Sequence, residues 1–423
     1  GGLLGGKKKK DQQADREEDK SIQKLGKSFV EFIRGYHHHF EHPTGTSAPQ
    51  AQNYLCGLMQ ASEKNIERMI EVVPESEYES QQHFISNSPW DHRAVLDQVA
   101  HEANALMGND LDRALIIDES SHVKKGKQSV GVKRQWCGRL GKIENCQVAV
   151  YTALNCREQN TLIDSRLYLP EDWAEDEARC LKAGVPKEEI VYKSKCELAL
   201  DSIRHQRSQG IDFRWVGVDG GYGKDPAFLR SLEADGEIFM ADVHSDQRFY
   251  LTNPNPVVPP SRSLKGRAPE KLRAQSNPIQ VDHWGQQQPQ SAWKTIIVRD
   301  TTKGPLEIEV LHSRVWLWNG EEEKAHHWHL IVRREKNKPE EIKYSLSNAS
   351  KYIKVKRLAF MQAQRFWVEQ ALKNGKSEAG MSDYQVRGWL AWNHHMALVA
   401  MAMLFMLRTR TIHQQDYPLL SCA

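Results

Sequence analysis

With 423 residues the chain is long enough for two or three domains, and its formal net charge of +3 is too small for a surface that is basic all over. Any face that binds a polyanion must therefore be local. The hydrophobic content of 39% and charged content of 27% are ordinary for a soluble enzyme. The seven cysteines show no CxxC pair and no zinc-ligand spacing, and their odd number in a long chain argues for reduced thiols inside the cell.

Residues 21–107 are predicted to form a small helical domain. The twenty residues before it, GGLLGGKKKKDQQADREEDK, have the character of a charged tail, so the fold prediction begins at residue 21. Apolar residues then recur at spacings of three and four through SFVEFIRGYHHHF, AQNYLCGLMQASEKNIERMIEVV and DHRAVLDQVAHEANALM. This spacing is typical of amphipathic helices, and Pro43, Pro74 and Pro89 separate them.

Residues 108–245 alternate strands and helices. Five apolar runs predict strands: ALIID, CQVAVYTAL (146–154), TLIDSRLYLP (161–170), FRWVGVD and EIFMADV. Helices are predicted at 174–183 and 194–209. Three strands followed by helix, strand, helix and strand indicate an α/β fold in which a mixed sheet is layered with helices.

The rest of the chain divides into a β-rich part and a helical part. Residues 246–346 begin with a segment rich in Pro, Asn and Ser and continue with strand-like runs, which predicts a β-rich insertion. Residues 347–423 are predicted to be mainly helical. Their most apolar segment, MALVAMAMLFML at 396–407, is too short to span a bilayer and is predicted to be a buried core helix.

The segment RALIIDESSHVKKGK at 113–127 joins a buried strand to a carboxylate, Asp118. An acid at the end of a buried strand is costly unless it is paired, hydrogen-bonded or bound to a metal. The basic ribbon that follows holds seven cations and no acid over residues 121–142, which suggests a polyanion: Lys124, Lys125, Lys127, Lys133, Arg134, Arg139 and Lys142. The alternative is an aspartate that caps a turn beside a solvated hairpin.

A second strand repeats this pattern. WVGVDGGYG ends an apolar run on Asp219 and continues into a tight glycine turn. GGYG lacks the G-x-G-x-x-G spacing of a dinucleotide loop, which disfavours that interpretation. Two strand-end aspartates in one sheet can converge on one point.

A third carboxylate is offered by a long helix in the C-terminal part. In QRFWVEQALKNGK, Arg365 lies four residues before Glu369 and Lys376 seven residues after it, so all three share one helix face. Three acids with cations beside them are what a two-metal phosphoryl-transfer site requires. The alternative for Glu369 is an intrahelical ion pair.

The set Asp118, Asp219 and Glu369 resembles the DDE triad of bacterial insertion-sequence transposases, and Arg365-x3-Glu369-x6-Lys376 is similar to the tyrosine, arginine, glutamate, lysine signature of the insertion-sequence-four superfamily. Gln362 stands where that signature has its tyrosine. The finer resemblance is to the insertion-sequence-701 branch, through SPWDHRAVL, LIIDESSHVKKGKQSVGVKRQWCGRLGKIENCQVAVYTAL, VGVDGGYG and KYSLSN. It covers nearly the whole chain from about residue 50.

The resemblance implies an RNase H-like core, an N-terminal DNA-binding domain and a β-rich insertion between the second aspartate and the glutamate. It implies Mg²⁺, with Mn²⁺ as a substitute, held by the three acids, and cleavage of transposon ends followed by joining of the 3′-hydroxyl to target DNA. The expected DNA contacts are Lys124, Lys125, Lys127, Lys133, Arg134, Arg365 and Lys376.

Relatives stack a tryptophan of the insertion on a flipped base, for which Trp316 and Trp318 are candidates, with Trp328 a third. The resemblance further implies a homodimer on DNA, a cytoplasmic, nucleoid-associated location and no membrane partner. The alternatives are a transposase-derived DNA-binding protein that does not cut, or another RNase H-like nuclease such as a resolvase. The intact acidic triad argues against the first.

Overall fold

A computed structural model of the protein describes residues 2–59, 78–262, 264–301, 304–378 and 387–413. The N-terminal part is helical, with a two-stranded hairpin: α1 Gly2–Arg34, β1 Glu41–His42, β2 Gly45–Thr46, α2 Ala48–Met59, α3 Tyr78–Ser86 and α4 His92–Met107. Helix α1 runs through the segment that the sequence indicated as a charged tail. The reason is local, since Lys, Gln, Asp and Glu at spacings of three and four support an exposed helix.

The central part consists of six strands and five short or medium helices: β3 Arg113–Val123, β4 Lys133–Cys137, β5 Lys142–Cys156, β6 Gln159–Leu167, α5 Glu171–Ala174, α6 Glu177–Lys182, α7 Lys195–Ser208, β7 Trp215–Val218, α8 Gly220–Gly223, α9 Pro226–Ala234 and β8 Phe239–Val243. The helix predicted at 174–183 corresponds to α6, which begins three residues later because the side chain of Asp176 caps it by accepting a hydrogen bond from the Arg179 N–H. Strand β4 was not predicted.

The core strands lie in the order β6-β5-β3-β7-β8. Strands β6 and β5 pair antiparallel, as do β5 and β3, whereas β3, β7 and β8 run parallel. This order with these directions is the RNase H-like arrangement. The predicted α/β fold class with a mixed sheet is therefore confirmed.

The insertion extends this sheet with four strands, while two further short strands of it pair with each other in a separate two-stranded sheet. Its elements are β9 Arg248–Phe249, β10 Ile279–Gln280, α10 Val281–Gln287, β11 Lys294–Thr301, β12 Gly304–Leu317, β13 His326–Glu335 and β14 Lys338–Ser347. Strands β11 to β14 form an antiparallel meander, and β14 pairs with β8. The described sheet thus has ten strands and runs without a break from the insertion into the core.

Two long helices complete the described chain, α11 Val355–Glu378 and α12 Trp389–His413. Helix α11 contacts β3, β5, β7 and β8, so it lies across one face of the core sheet. Helix α12 packs against α2, α4 and β6. It is long and apolar enough to cross a membrane over Trp389–Thr411, but 89% of its most apolar window is buried inside the protein. The prediction of a buried core helix is confirmed.

Candidate active site

Three neighbouring strands carry an aspartate at the same level. Strands β3 and β7 pair parallel from Ala114 with Trp215 to Ile116 with Gly217, and the same offset brings Asp118 level with Asp219. The pairing of β7 with β8 likewise brings Asp219 level with Asp242. Neighbouring strands lie about 4.8 Å apart, and level residues of parallel strands point to the same face. The three carboxylates therefore belong to one row.

The turn after β7 holds Asp219 in this row. Asp219 caps α8, and its Oδ1 accepts a hydrogen bond from the Gly221 N–H at 2.9 Å. A Cβ at Gly223 would lie 1.9 Å from the carbonyl oxygen of Asp242. The glycine turn is thus a packing requirement, because it presses α8 against β8 at the level of the row.

Helix α11 brings two charged side chains to the row. Arg365 donates to Asp242 Oδ2 through Nε at 3.0 Å and Nη2 at 2.6 Å, and its Nη1 donates to Glu369 Oε1. The intrahelical ion pair that the sequence offered as an alternative for Glu369 therefore exists. The same arginine, however, also bonds to a strand of the sheet, so the pair is part of the site and not an isolated surface contact.

Electrostatics tie the helix to both predicted aspartates. Burial disfavours the charge on Arg365, but the carboxylates of Asp242, Glu369 and Asp219 outweigh it and raise the pKa of Arg365. Burial raises the pKa of Glu369; the charge of Asp118 adds to the rise, whereas Arg365 opposes it. Asp118, Asp219 and Glu369 are accordingly close enough to act on one another, or on the same arginine, through their charges.

The donor set fits a divalent cation in part. Asp118 and Asp219 are hard oxygen ligands on adjacent strands, which suits Mg²⁺ or Mn²⁺. Glu369, however, is engaged by Arg365, and the described residues contain no group of three His, Cys, Asp or Glu side chains arranged to hold a metal. The third acid would have to turn away from Arg365 to complete a site.

Asp242 is a site residue that the sequence analysis missed. Its Oδ1 accepts a hydrogen bond from Ser345 Oγ at 2.7 Å, and Ser345 in turn accepts one from Gln362 Nε2 at 2.8 Å. Gln362, at the position of the signature tyrosine, is buried with 3% exposure and is the first donor in this series of hydrogen bonds to Asp242. The signal was present in the sequence, because EIFMADV is a third apolar strand with an aspartate near its end.

The family described as DDE superfamily endonuclease matches residues 36–305, which is more than half of the chain. The chain belongs to the DDE superfamily of endonucleases. A stretch of 163 residues is 30% identical to the probable transposase for insertion sequence element IS701 of Microchaete diplosiphon; it covers 38% of this chain and 39% of that protein. Among solved structures, the NurA nuclease from Sulfolobus solfataricus has a TM-score of 0.26 at 10% identity over 66% of this chain and 86% of that one.

The basic ribbon of this DDE endonuclease lies on the hairpin of β4 and β5 and the loop before it. Lys125, Lys127, Lys133 and Arg134 are exposed, whereas Lys124 is half-buried, and burial together with the charge of Arg387 lowers the pKa of Lys124. Three ribbon cations have acidic neighbours: Lys133 lies 3.4 Å from Asp172, and Arg134 and Lys142 lie 3.8 and 3.9 Å from Glu144. The ribbon is therefore accessible, and its DNA contacts stay a prediction.

The other residues predicted to contact DNA are buried or half-buried where the structure describes them, unlike the exposed cations of the basic ribbon. Arg365 is buried between two carboxylates, and the side chain of Lys376 lies outside the described part of the chain. Trp328 is a core residue with 1% exposure. Trp316 and Trp318 are half-buried; the first stacks on His327 with ring centroids 4.1 Å apart, and the second donates to the Glu322 carbonyl.

Proposed function

We propose that the protein is a DNA transposase that cuts transposon ends and joins the released 3′-hydroxyl to target DNA. Asp118, Asp219 and Glu369 are the proposed metal ligands. The observation that carries the proposal is the level pair of strand-end aspartates beneath Glu369, in a chain of the DDE endonuclease superfamily. Because the matched stretch spans about two fifths of the curated transposase, the activity of that whole protein is carried to this chain as a proposal.

The divalent cations, when bound, would polarise the phosphate and stabilise the attacking and leaving oxygens. The chain's own residues then have three tasks. Asp118 and Asp219 present their carboxylates at one level of the sheet. Arg365 bonds to Glu369 as long as no divalent cation binds that carboxylate, and Asp242 holds Arg365 in place through its own hydrogen bonds. Exposed ribbon cations such as Lys125 and Lys127 bind phosphates away from the reacting bond.

The partners follow from this reaction. Two transposon ends must be cut and joined together, so we propose a homodimer on DNA, acting in the cytoplasm on nucleoid DNA. Trp316 and Trp318 remain the candidates for stacking on a flipped base. Trp316 would have to leave His327 to do so, because the two rings are stacked on each other.

The test is cleavage of a duplex that carries the ends of the parent element, with Mg²⁺, with Mn²⁺ and with neither. Wild type should cleave with either metal, whereas Asp118→Ala and Asp219→Ala should bind the duplex normally and leave it uncut. Asp172→Ala is the matched control, since Asp172 is a half-exposed acid that pairs with Lys133 outside the site.

Each alternative predicts another outcome. A transposase-derived DNA-binding protein would bind the ends and cut under none of the three conditions. A nuclease of another type would cut branched or random DNA as readily as the ends. Near-wild-type cleavage by either aspartate variant would refute the assigned site. The dimer is tested by light scattering on the complex with end DNA, and a complex of one chain with one duplex that cleaves the DNA would refute it.

A further inference from the structure

Two cations of the insertion face the candidate active site. Arg333 on β13 and Lys343 on β14 are directly opposite each other in the antiparallel ladder. Lys343 lies two residues before Ser345, which bonds to Asp242, so Lys343 and Arg333 project to the same face of the sheet as the row of aspartates. The continuous pairing of β14 with β8 fixes this arrangement.

Among the residues that the structure describes, Arg333 is buried and its side chain has no ionic or hydrogen-bonding partner. Its exposure is 6%, yet within the described residues it has no carboxylate within 4.0 Å and no side-chain hydrogen bond. Arg113, the other buried arginine in the described chain, donates to the Asn104 and Gly108 carbonyls. A buried guanidinium needs such acceptors, because its charge is costly when it is desolvated alone.

Three acids favour the charge on Arg333 at a distance: Asp242, Glu335 and Glu369. Two of them, Asp242 and Glu369, bond to Arg365. Burial is the largest influence on Arg333 and on Lys343 and lowers the pKa of each, and for Lys343 the charges of Arg333 and Arg365 add to the effect. Within the described part of the chain, Arg333 and Lys343 thus lie opposite each other with no carboxylate paired to either.

We propose that Arg333 and Lys343 bind the DNA phosphate at or next to the cleaved bond. This assignment rests on the proposed function of the neighbouring acids. A guanidinium offers a planar fork that matches two phosphate oxygens, and the half-buried ammonium of Lys343 supplies a point charge on the strand beside it. The insertion thereby contributes directly to the active site through its last two strands, β13 and β14.

The test is the salt dependence of binding, which does not require cleavage. A labelled duplex carrying the element's ends is titrated with the full chain without divalent metal, and the logarithm of affinity is plotted against the logarithm of salt. Each lost phosphate contact should lower the slope by about 0.9. Lys343→Gln and Arg333→Gln should each show this drop and lose about tenfold in affinity.

Two further variants serve as controls. Arg333→Lys keeps the charge and should keep the slope while losing part of the affinity, because an ammonium lacks the fork. Lys338→Gln removes an exposed cation at the far end of β14 and should change neither slope nor affinity. Thermal melting of every variant verifies that it is folded.

The outcomes separate this inference from the proposed function. Unchanged slopes in folded Lys343→Gln and Arg333→Gln would overturn the phosphate site even if wild type cleaves. Should Arg333→Gln fail to fold, the half-exposed Lys343→Gln decides alone. A lowered slope in a protein that never cleaves would keep the anion site and refute the transposase.

Discussion

Replacing Asp242 by asparagine removes one of the two carboxylates that bond to Arg365. The side chains of Arg365 and Asp242 are 13% and 14% exposed, and two guanidinium nitrogens reach one carboxylate oxygen at 3.0 and 2.6 Å. Asparagine keeps the shape and can keep the hydrogen bond from Ser345 to Oδ1. Its NH2 group then replaces Oδ2 and cannot accept from Arg365, so the substitution removes the charge and both hydrogen bonds from Arg365.

Removing one partner of a buried pair costs about 3–5 kcal/mol. Because Glu369 still pairs with Arg365 in the variant, we expect the lower end, about 3 kcal/mol. With an unfolding entropy of about 2.1 cal/mol/K per residue, a 423-residue chain that unfolds as a unit should melt about 3 °C lower. The matched control is Asp235→Asn, whose exposed pair with Arg204 is expected to contribute less than about 1 kcal/mol.

Urea denaturation and thermal melting of both variants measure the difference. Arg365→Gln and the double variant with Asp242→Asn complete a double-mutant cycle, in which coupled residues show an interaction energy of about 0.5–3 kcal/mol. Equal small losses in Asp242→Asn and Asp235→Asn, together with strictly additive effects in the cycle, would refute the view that Asp242 anchors the helix.

Three further predictions concern other parts of the molecule. Arg93 and Arg166 hold the pKa of the buried Asp164 below its usual range despite burial. The stability that ionised Asp164 contributes is therefore complete above the unfolded pKa of about 3.9 and is lost as the pH falls. Asp164→Asn should reduce the dependence of the free energy of unfolding on pH, measured by denaturation from about pH 5 to pH 2. Replacing Lys125 and Lys127 by glutamine should lower the slope of log affinity against log salt by about 1.8 on cognate and random DNA alike, and an unchanged slope would mean that these lysines are merely solvated. Gly223→Ala should destabilise the protein by about 1–3 kcal/mol in urea because its Cβ meets a backbone carbonyl, whereas Gly138→Ala, with nothing within 4 Å, should not; equal effects would contradict this.

The sequence predicted those parts of the site that are local. An apolar run that ends on an acid identified Asp118 and Asp219, and helical spacing placed Arg365 and Glu369 on one face. The register between parallel strands cannot be read from one sequence, so the alignment of Asp242 with the other two aspartates was missed. Asp118, Asp219 and Glu369 already supplied the three acids that the site requires, and no local feature of the strand EIFMADV marked Asp242 as a further site residue.

The sequence also could not predict which residues are buried or which short strands pair at the edge of the sheet. Strand β4 was missed because KRQWC is charged and lies at the edge of the sheet, where exposed residues give no hydrophobic alternation. Arg333 looks like any surface cation in HLIVRREK, and its burial depends on strands and a helix distant in sequence. Likewise, composition could not separate the core Trp328 from Trp316 and Trp318.

The junction between β8 and β14 has a consequence for attempts to shorten the protein. Residues 246–346 form a self-contained excursion in sequence, which makes them an obvious segment to delete. Their strand β14 nevertheless pairs with β8 over four residues. Deletion would turn β8 into an open edge whose backbone N–H and C=O groups are free to pair with another molecule. Such a minimal core should therefore self-associate through its sheet, and it would need a new charged or proline-containing edge to remain monodisperse.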